Sequence, residues 1–424
     1  ALNLIQYTRQ SVFLTGKAGT GKSTFLKYVC ANVKKKHVVL APTGIAAINA
    51  GGSTLHSFFK LPFYPLLPDD PNFSLKGGKL HSFLKYSSEH RKLIKEIELV
   101  IIDEISMVRS DLMAAIDARM RQVSSAKDID KPFGGRQVIA VGDFFQLPPV
   151  VDTATTCAYL CMRYGGVYAF QTAAWSAAKF KVANLSTVIR QTDSKFIDVL
   201  NGVRVGEMSA AEELSSCVGK ELPDTALTIT PYRATAASIN EAKLSELPGD
   251  AAIYTGKVEG RFIQDLPVDE EIQLKVGSRV MLAANKYDAN GEMIFCNGEL
   301  GTVVALSKDA VTVRRDNNST LKVVPYEWKM YEFDYSGIKV EAKEIGTYRQ
   351  MPLRLAWAMT IHKSQGCTFD HMLLDLGRGC FAEGQLYTAL SRVRTMAGLA
   401  LSREIKSTDI REARDIIEFY SKFD

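Results

Sequence analysis

Paired cysteines are missing from this chain. Its seven cysteines (Cys30, Cys157, Cys161, Cys217, Cys296, Cys367 and Cys380) are odd in number and scattered, and none stands in a Cys-x-x-Cys pair. A disulfide framework and a zinc site of ordinary ligand spacing are both excluded by that arrangement. Reduced, buried thiols of an intracellular protein are the expectation. No apolar run approaches the roughly 18 residues that span a bilayer, and no signal-peptide pattern is visible. The chain opens on Ala1, so the missing targeting segment carries little weight. A strong charge of one sign is lacking too. The net charge is +5, yet residues 1–150 hold 20 Lys+Arg against 12 Asp+Glu and the remainder 32 against 35. A basic first third suits a polyanionic partner, although charge alone decides nothing.

What is present begins at Val12. Val12-Phe13-Leu14 reads as a buried strand, and Gly16-Lys17-Ala18-Gly19-Thr20-Gly21-Lys22-Ser23 follows it at G-x-x-x-x-G-K-S spacing. Phe25, Leu26, Val29, Cys30 and Val33 then recur at helical spacing. Strand, glycine-rich loop and helix together are the context of a phosphate-binding P-loop. Backbone N–H groups from Gly16 through Thr24 would curl round the phosphates, helped by the helix dipole. Lys22 is the candidate for the β- and γ-phosphates and Ser23 for Mg²⁺. A second strand, Leu99–Ile102, ends in Asp103-Glu104. Downstream of a P-loop this pair reads as a Mg²⁺ ligand, Asp103, and a residue that orients or deprotonates water, Glu104. A third strand, Val138–Val141, runs into Gly142-Asp143-Phe144-Phe145-Gln146-Leu147-Pro148-Pro149, placing Gln146 to sense the γ-phosphate or position water. ATP and Mg²⁺ are therefore the expected cofactors.

Further segments resemble superfamily-one helicases of the 5′-to-3′ branch, and within it the PIF-type family. Pro42-Thr43-Gly44-Ile45-Ala46-Ala47 and Gly51-Gly52-Ser53-Thr54-Leu55-His56 look like that family's two single-strand-contacting motifs. A helix-like stretch from Asp111 to Val123 and Lys131-Pro132-Phe133-Gly134-Gly135-Arg136-Gln137 are similar to its signature, with Arg136 where an apolar residue is more usual. Val188-Ile189-Arg190-Gln191-Thr192-Asp193 resembles the motif that supplies an arginine finger. Met359-Thr360-Ile361-His362-Lys363-Ser364-Gln365-Gly366 looks like the late nucleic-acid and nucleotide motif. Gln385-Leu386-Tyr387-Thr388-Ala389-Leu390-Ser391-Arg392 resembles the last helicase motif, with Arg392 a second γ-phosphate arginine. The resemblance runs in order from Thr15 to Arg394. It implies Lys22, Glu104, Gln146, Arg190 and Arg392 as catalytic residues and Gly366 at the nucleotide. For DNA it implies Thr43, Gly44, Thr54, His56, Pro148, Thr360, His362 and Lys363. The adenine-contacting glutamine has two candidates, Gln6 and Gln10.

The implied fold is α/β: two RecA-like parallel-sheet motor domains, a small insertion in the first and an SH3-like β-barrel in the second. The first motor domain is expected over residues 1–60 and 93–188, with an accessory insertion at 61–92 as a duplex wedge. The second is expected over 189–248 and 349–424, interrupted by the barrel at 249–348. Within that stretch Thr302–Leu306, Ala310–Arg314 and Leu321–Val324 alternate and are separated by turn residues, as in hairpins. Residues 241–350 carry 14 Lys+Arg and 18 Asp+Glu, so the insert shapes or covers a DNA path rather than supplying its main phosphate contacts. The partners implied are single-stranded DNA and duplex junctions, with G-quadruplex DNA and RNA–DNA hybrids as further candidate substrates, and no membrane. A monomer when free is expected, in the bacterial cytoplasm at the nucleoid, or in a nucleus or mitochondrion if the chain derives from a longer eukaryotic protein. Two other readings stay open at this point: a ring-forming ATPase that remodels proteins, and a nucleotide-gated DNA-binding module without strand separation.

Overall fold

A computed structural model describes residues 1–61, 86–151, 153–261, 266–288, 290, 293–335, 340–411 and 414–423. The wedge expected at 61–92 falls mostly outside them. Six strands form the first sheet in the order Ser53–Thr54, His37–Ala41, Leu99–Ile102, Gln137–Val141, Val12–Gly16 and Lys181–Leu185. Every neighbouring pair is parallel. Val12–Gly16, Leu99–Ile102 and Gln137–Val141 are buried throughout, and a near-continuous apolar run is what a strand covered on both faces requires. Because the strands are parallel, the P-loop, Asp103-Glu104 and Gly142–Gln146 all leave the same edge of the sheet. Open α/β sheets place their ligand sites on that edge.

The second sheet is smaller: Ala358–Thr360, Leu227–Thr230, Met372–Leu374 and Leu399–Leu401, again all parallel. Between its first two strands in chain order stands the antiparallel insert. Its five-stranded sheet runs Thr320–Val323, Ala310–Arg315, Leu300–Ser307, Arg279–Leu282, Leu353–Leu355. Val280, Leu282, Val303, Val311, Val313 and Leu353 build a core separate from that of the motor sheets. The long strand Tyr326–Tyr335 leaves this unit and runs beside the helices Leu55–Phe59 and Ser88–Glu96 of the first domain. Arg136, unusual for its motif, fastens its own neighbourhood: it donates to Ile94 O at 2.8 Å and Ser124 Oγ at 2.6 Å.

Residues 349–424 were expected with the second sheet. Their last described helix, Arg414–Tyr420, lies against the first. Phe419 stacks on Phe170 at 4.2 Å and packs on Phe13, Phe144 and Trp175 at 5.9, 5.5 and 5.9 Å. Tyr420 stacks on Phe145, its hydroxyl 2.8 Å from Thr15 Oγ1 and accepting from Phe144 N at 3.3 Å. Phe419→Ala is expected to destabilise the protein by about 3–5 kcal/mol, the range for emptying a buried aromatic site. Denaturant unfolding reads this directly, and an unchanged midpoint would show that the helix does not hold the first sheet.

Candidate nucleotide site between the two sheets

The turn after Val12–Gly16 depends on glycine at position 19. Gly19 has φ +78, and a Cβ there would lie 2.6 Å from Cβ of Arg190. Gly21, also left-handed, opens the 11-residue helix Lys22–Asn32 without a side-chain cap, leaving its first N–H groups to face an anion. Ala18 and Thr20 are buried, while Ser23 and Thr24 are exposed on the first helical turn. Lys22 Nζ lies over the loop and donates to the carbonyls of Gly16 (2.7 Å) and Lys17 (3.0 Å). Burial pushes its pKa down, against the pull of Asp143 and Glu104.

Both carboxylates lie beside it. Asp103 is pushed up to about 7 by burial and then by the charge of Glu104, with Lys22 opposing. Glu104 is raised by burial, opposed by Lys22 and Arg392. Glu104 also has φ +50, a left-handed backbone that costs a non-glycine residue energy and recurs at functional sites. The donor set of one hydroxyl and one carboxylate suits Mg²⁺, which fills its remaining positions with water and phosphate oxygens. Two neighbouring half-buried carboxyls with raised pKa values are what a bound dication would relieve.

Two arginines far from each other in the chain, Arg190 and Arg392, meet at this site. Ile189 N and Arg190 N donate to Gly19 O at 2.9 and 3.3 Å, and Arg190 Nη1 donates to Ser391 O at 3.0 Å. Arg392 is 2% exposed; its Nε donates to Thr388 O and its Nη2 to Ser391 Oγ. Burial, then the charge of Arg392, pushes Arg190 down to about 9. Guanidinium stays protonated in proteins, so the downward shift reflects two cations held close together and partly out of water. An anion between them would remove it. Gln146 is buried on the facing loop, where the backbone of Gly384 abuts it. Lys22, Asp103, Glu104, Arg190 and Arg392 are thus brought together at one place.

The residues expected at DNA lie apart from this cluster. Thr43 and Thr54 cap the helices Gly44–Ala50 and Leu55–Phe59, their hydroxyls accepting from Ala46 N and Ser57 N at 3.3 Å each. Burial, with Arg109 adding to it, keeps His56 below its usual pKa; burial and Arg233 do the same for His362. Pro148 is half-buried after Gln146. Thr360 is buried and accepts from Lys363 N at 3.3 Å, opening the turn that ends at Gly366, φ +78. Lys363 and Gln365 line one crevice with Ile48 and Asn49 of the first domain and Trp328 and Arg354 near the insert. Gln6 and Gln10 are occupied by the fold: Gln6 Oε1 accepts from Lys34 N at 3.2 Å, and Gln10 Nε2 donates to Lys179 O at 2.7 Å.

Residues 3–214, half of the chain, match the family model described as PIF1-like helicase. The chain belongs to that family. This PIF1-like helicase is 32% identical to the ATP-dependent DNA helicase Pif1 of Bdellovibrio bacteriovorus, over 100% of this chain and 91% of that one. The ATP-dependent DNA helicase PIF1 of Rattus norvegicus is also 32% identical over 97% of the chain, which spans 61% of its length. Among solved structures, Bacteroides Pif1 with ADP-AlF4 superposes with TM-score 0.88 at 38% identity, covering 100% of this chain and 95% of that one. Bacteroides Pif1 bound to single-stranded DNA gives 0.69 at the same identity and coverage. The α/β fold with two RecA-like domains is shared, and this helicase superposes less closely on the DNA-bound structure.

Sequence reasoning missed three contributors to the site. Tyr387 Oη accepts from Ala18 N at 2.9 Å and lies 3.4 Å from Asp143 Oδ2. Gln191 Nε2 donates to the carbonyls of Ser391 and Val393 at 3.1 and 3.0 Å, bracing the segment that carries Arg392. Arg204 pairs with Asp143 at 3.0 Å. Tyr387 and Gln191 stand inside motifs already quoted, beside the arginines that drew attention; Arg204 carries no local signal at all. No helix among the described residues is long and apolar enough to cross a membrane.

Proposed function

We propose that this helicase hydrolyses ATP between its two parallel-sheet domains, moves 5′-to-3′ along single-stranded DNA, and separates duplex ahead of it. The observation that carries this reading is the gathering of Lys22, Glu104, Arg190 and Arg392 from distant parts of the chain into one site. The N–H groups of Gly19 to Thr24 cradle the phosphates, and Lys22 exchanges its two carbonyl partners for phosphate oxygens. Ser23 and Asp103 would hold Mg²⁺, which would withdraw charge from the phosphate oxygens. Glu104 accepts a proton from the attacking water, and Gln146 orients that water. Arg190 and Arg392 neutralise charge developing on the γ-phosphate.

Because those arginines come from the second domain, ATP favours a closed cleft and hydrolysis releases it. The crevice that Lys363 shares with Ile48, Asn49 and Trp328 is bounded by all three units. We place the single strand along that crevice, held by backbone donors and cations that do not read sequence. Thr43, Gly44, Thr54, His56, Pro148, Thr360 and His362 form the flanks of that path. The bacterial relatives favour action at the nucleoid.

Strand displacement on partial duplexes with a 5′ or a 3′ single-stranded tail tests the reading. Unwinding with ATP from the 5′ tail alone is expected. Unwinding from the 3′ tail alone would reverse the polarity, and DNA-stimulated ATP hydrolysis without unwinding from either would make the protein a translocase only.

A further inference from the structure

The loop Gly142–Leu147 is enclosed by residues drawn from the far side of the cleft. Arg204, on the helix Ser194–Val205, places Nη2 3.0 Å from Asp143 Oδ1. Its guanidinium carbon lies 3.9 Å from the centre of the Phe145 ring and 5.3 Å from that of Tyr420. Asp143 Oδ1 also accepts from Phe145 N at 3.2 Å, and its Oδ2 faces Tyr387 Oη. Behind the loop stands Gly384, whose added Cβ would lie 2.3 Å from the carbonyls of Phe145 and Gln146. The side chains of the ion pair are 13% and 0% exposed. A buried carboxylate that loses its hydrogen-bonded cation is costly, so the loop's conformation and the docking of the second domain are tied together.

We infer that Arg204 is a positioning residue for Gln146. A planar guanidinium flat on Phe145, charge-paired with Asp143 one turn upstream of Gln146, fixes the loop in both translation and tilt. Arg204 therefore holds Gln146 in register with the attacking water only while the second domain is docked. The inference rests on the assignment of water orientation to Gln146, and it adds the device by which closure reaches that residue. Nothing in it requires Arg204 to touch ATP.

The test is a double-mutant cycle in the full chain with Arg204→Ala and Gln146→Ala, reading single-strand-stimulated kcat, KM for ATP, and single-strand affinity without nucleotide. Arg204→Ala is expected to lower kcat by roughly 10- to 100-fold, the scale of misplacing a catalytic group by about an ångström. KM and DNA affinity should stay within about threefold. The double variant should be no worse than the weaker single one, because both changes remove the same function. Arg204→Lys keeps the charge and loses the flat stacking, and should recover part of kcat; it also replaces Arg204→Ala in the cycle if that variant does not fold. Losses that multiply in the double variant, or that fall on KM and DNA affinity as much as on kcat, overturn the inference. Normal turnover in Gln146→Ala alone would instead remove the role given to Gln146, and the inference with it.

Discussion

Lys22→Ala is expected to lower ATP turnover by at least roughly 100- to 1,000-fold, the effect of deleting one charge-stabilising donor from a dry site, while single-strand binding without nucleotide changes only a few-fold. The asymmetry follows from where the lysine is. Its Nζ is held by two P-loop carbonyls, and its electrostatic neighbours are Asp143, Glu104, Arg190 and Arg392. None of the groups assigned to the DNA path is among them. A coupled ATPase assay and fluorescence anisotropy on a labelled oligonucleotide separate the two readouts. Normal turnover would sink the ATP-site assignment; a matching loss of DNA affinity would mean that the two sites are not separate.

The second large effect is expected at the arginines. Arg190→Ala and Arg392→Ala should each lower DNA-stimulated kcat by about 1,000-fold or more, the scale of removing an arginine finger. ATP affinity should move far less, since charge on the γ-phosphate grows mainly in the transition state. The two differ in a second respect. Arg392 is wholly buried and its guanidinium holds Thr388 O and Ser391 Oγ, so its loss should also lower the melting temperature. Arg190 anchors through Ser391 O and backbone contacts to Gly19 that alanine keeps, so its variant should melt near the parent. Lysine rescues neither, because a point charge cannot reproduce the planar fork. If both alanine variants hydrolyse ATP at the parental rate, the site does not span the two domains.

What could be read from the sequence was local or repeated. The P-loop needs only a strand, a glycine-rich turn and a helix in succession, all within Val12–Val33. The helix-like stretch Asp111–Val123 lies over Ser110–Gln122. Leu227–Thr230, Met372–Leu374 and Leu399–Leu401 are strands because short apolar runs between turn residues permit little else. The insert's hairpins announced themselves through alternation, with Val311 and Val313 buried on either side of a half-buried Thr312. The edge strand Lys181–Leu185 gave no such signal, being partly exposed along its length. The long-range pairings stayed hidden for a different reason. Arg204 and Asp143 are 61 positions apart, Tyr387 and Ala18 are 369, and Tyr420 and Thr15 are 405. One arginine or tyrosine looks like any other until the fold brings its partner to it.

The helix Arg414–Tyr420 has a mechanical consequence. The polypeptide leaves the first sheet after Leu185, builds the second, and comes back to the first at Phe419 and Tyr420. A rigid body pinned at one point keeps three rotations, whereas one pinned at two keeps a single swing about the line joining the pins. The second motor domain is therefore tethered to the first sheet at both of its ends, which leaves it fewer ways to move against that sheet than a single connection would.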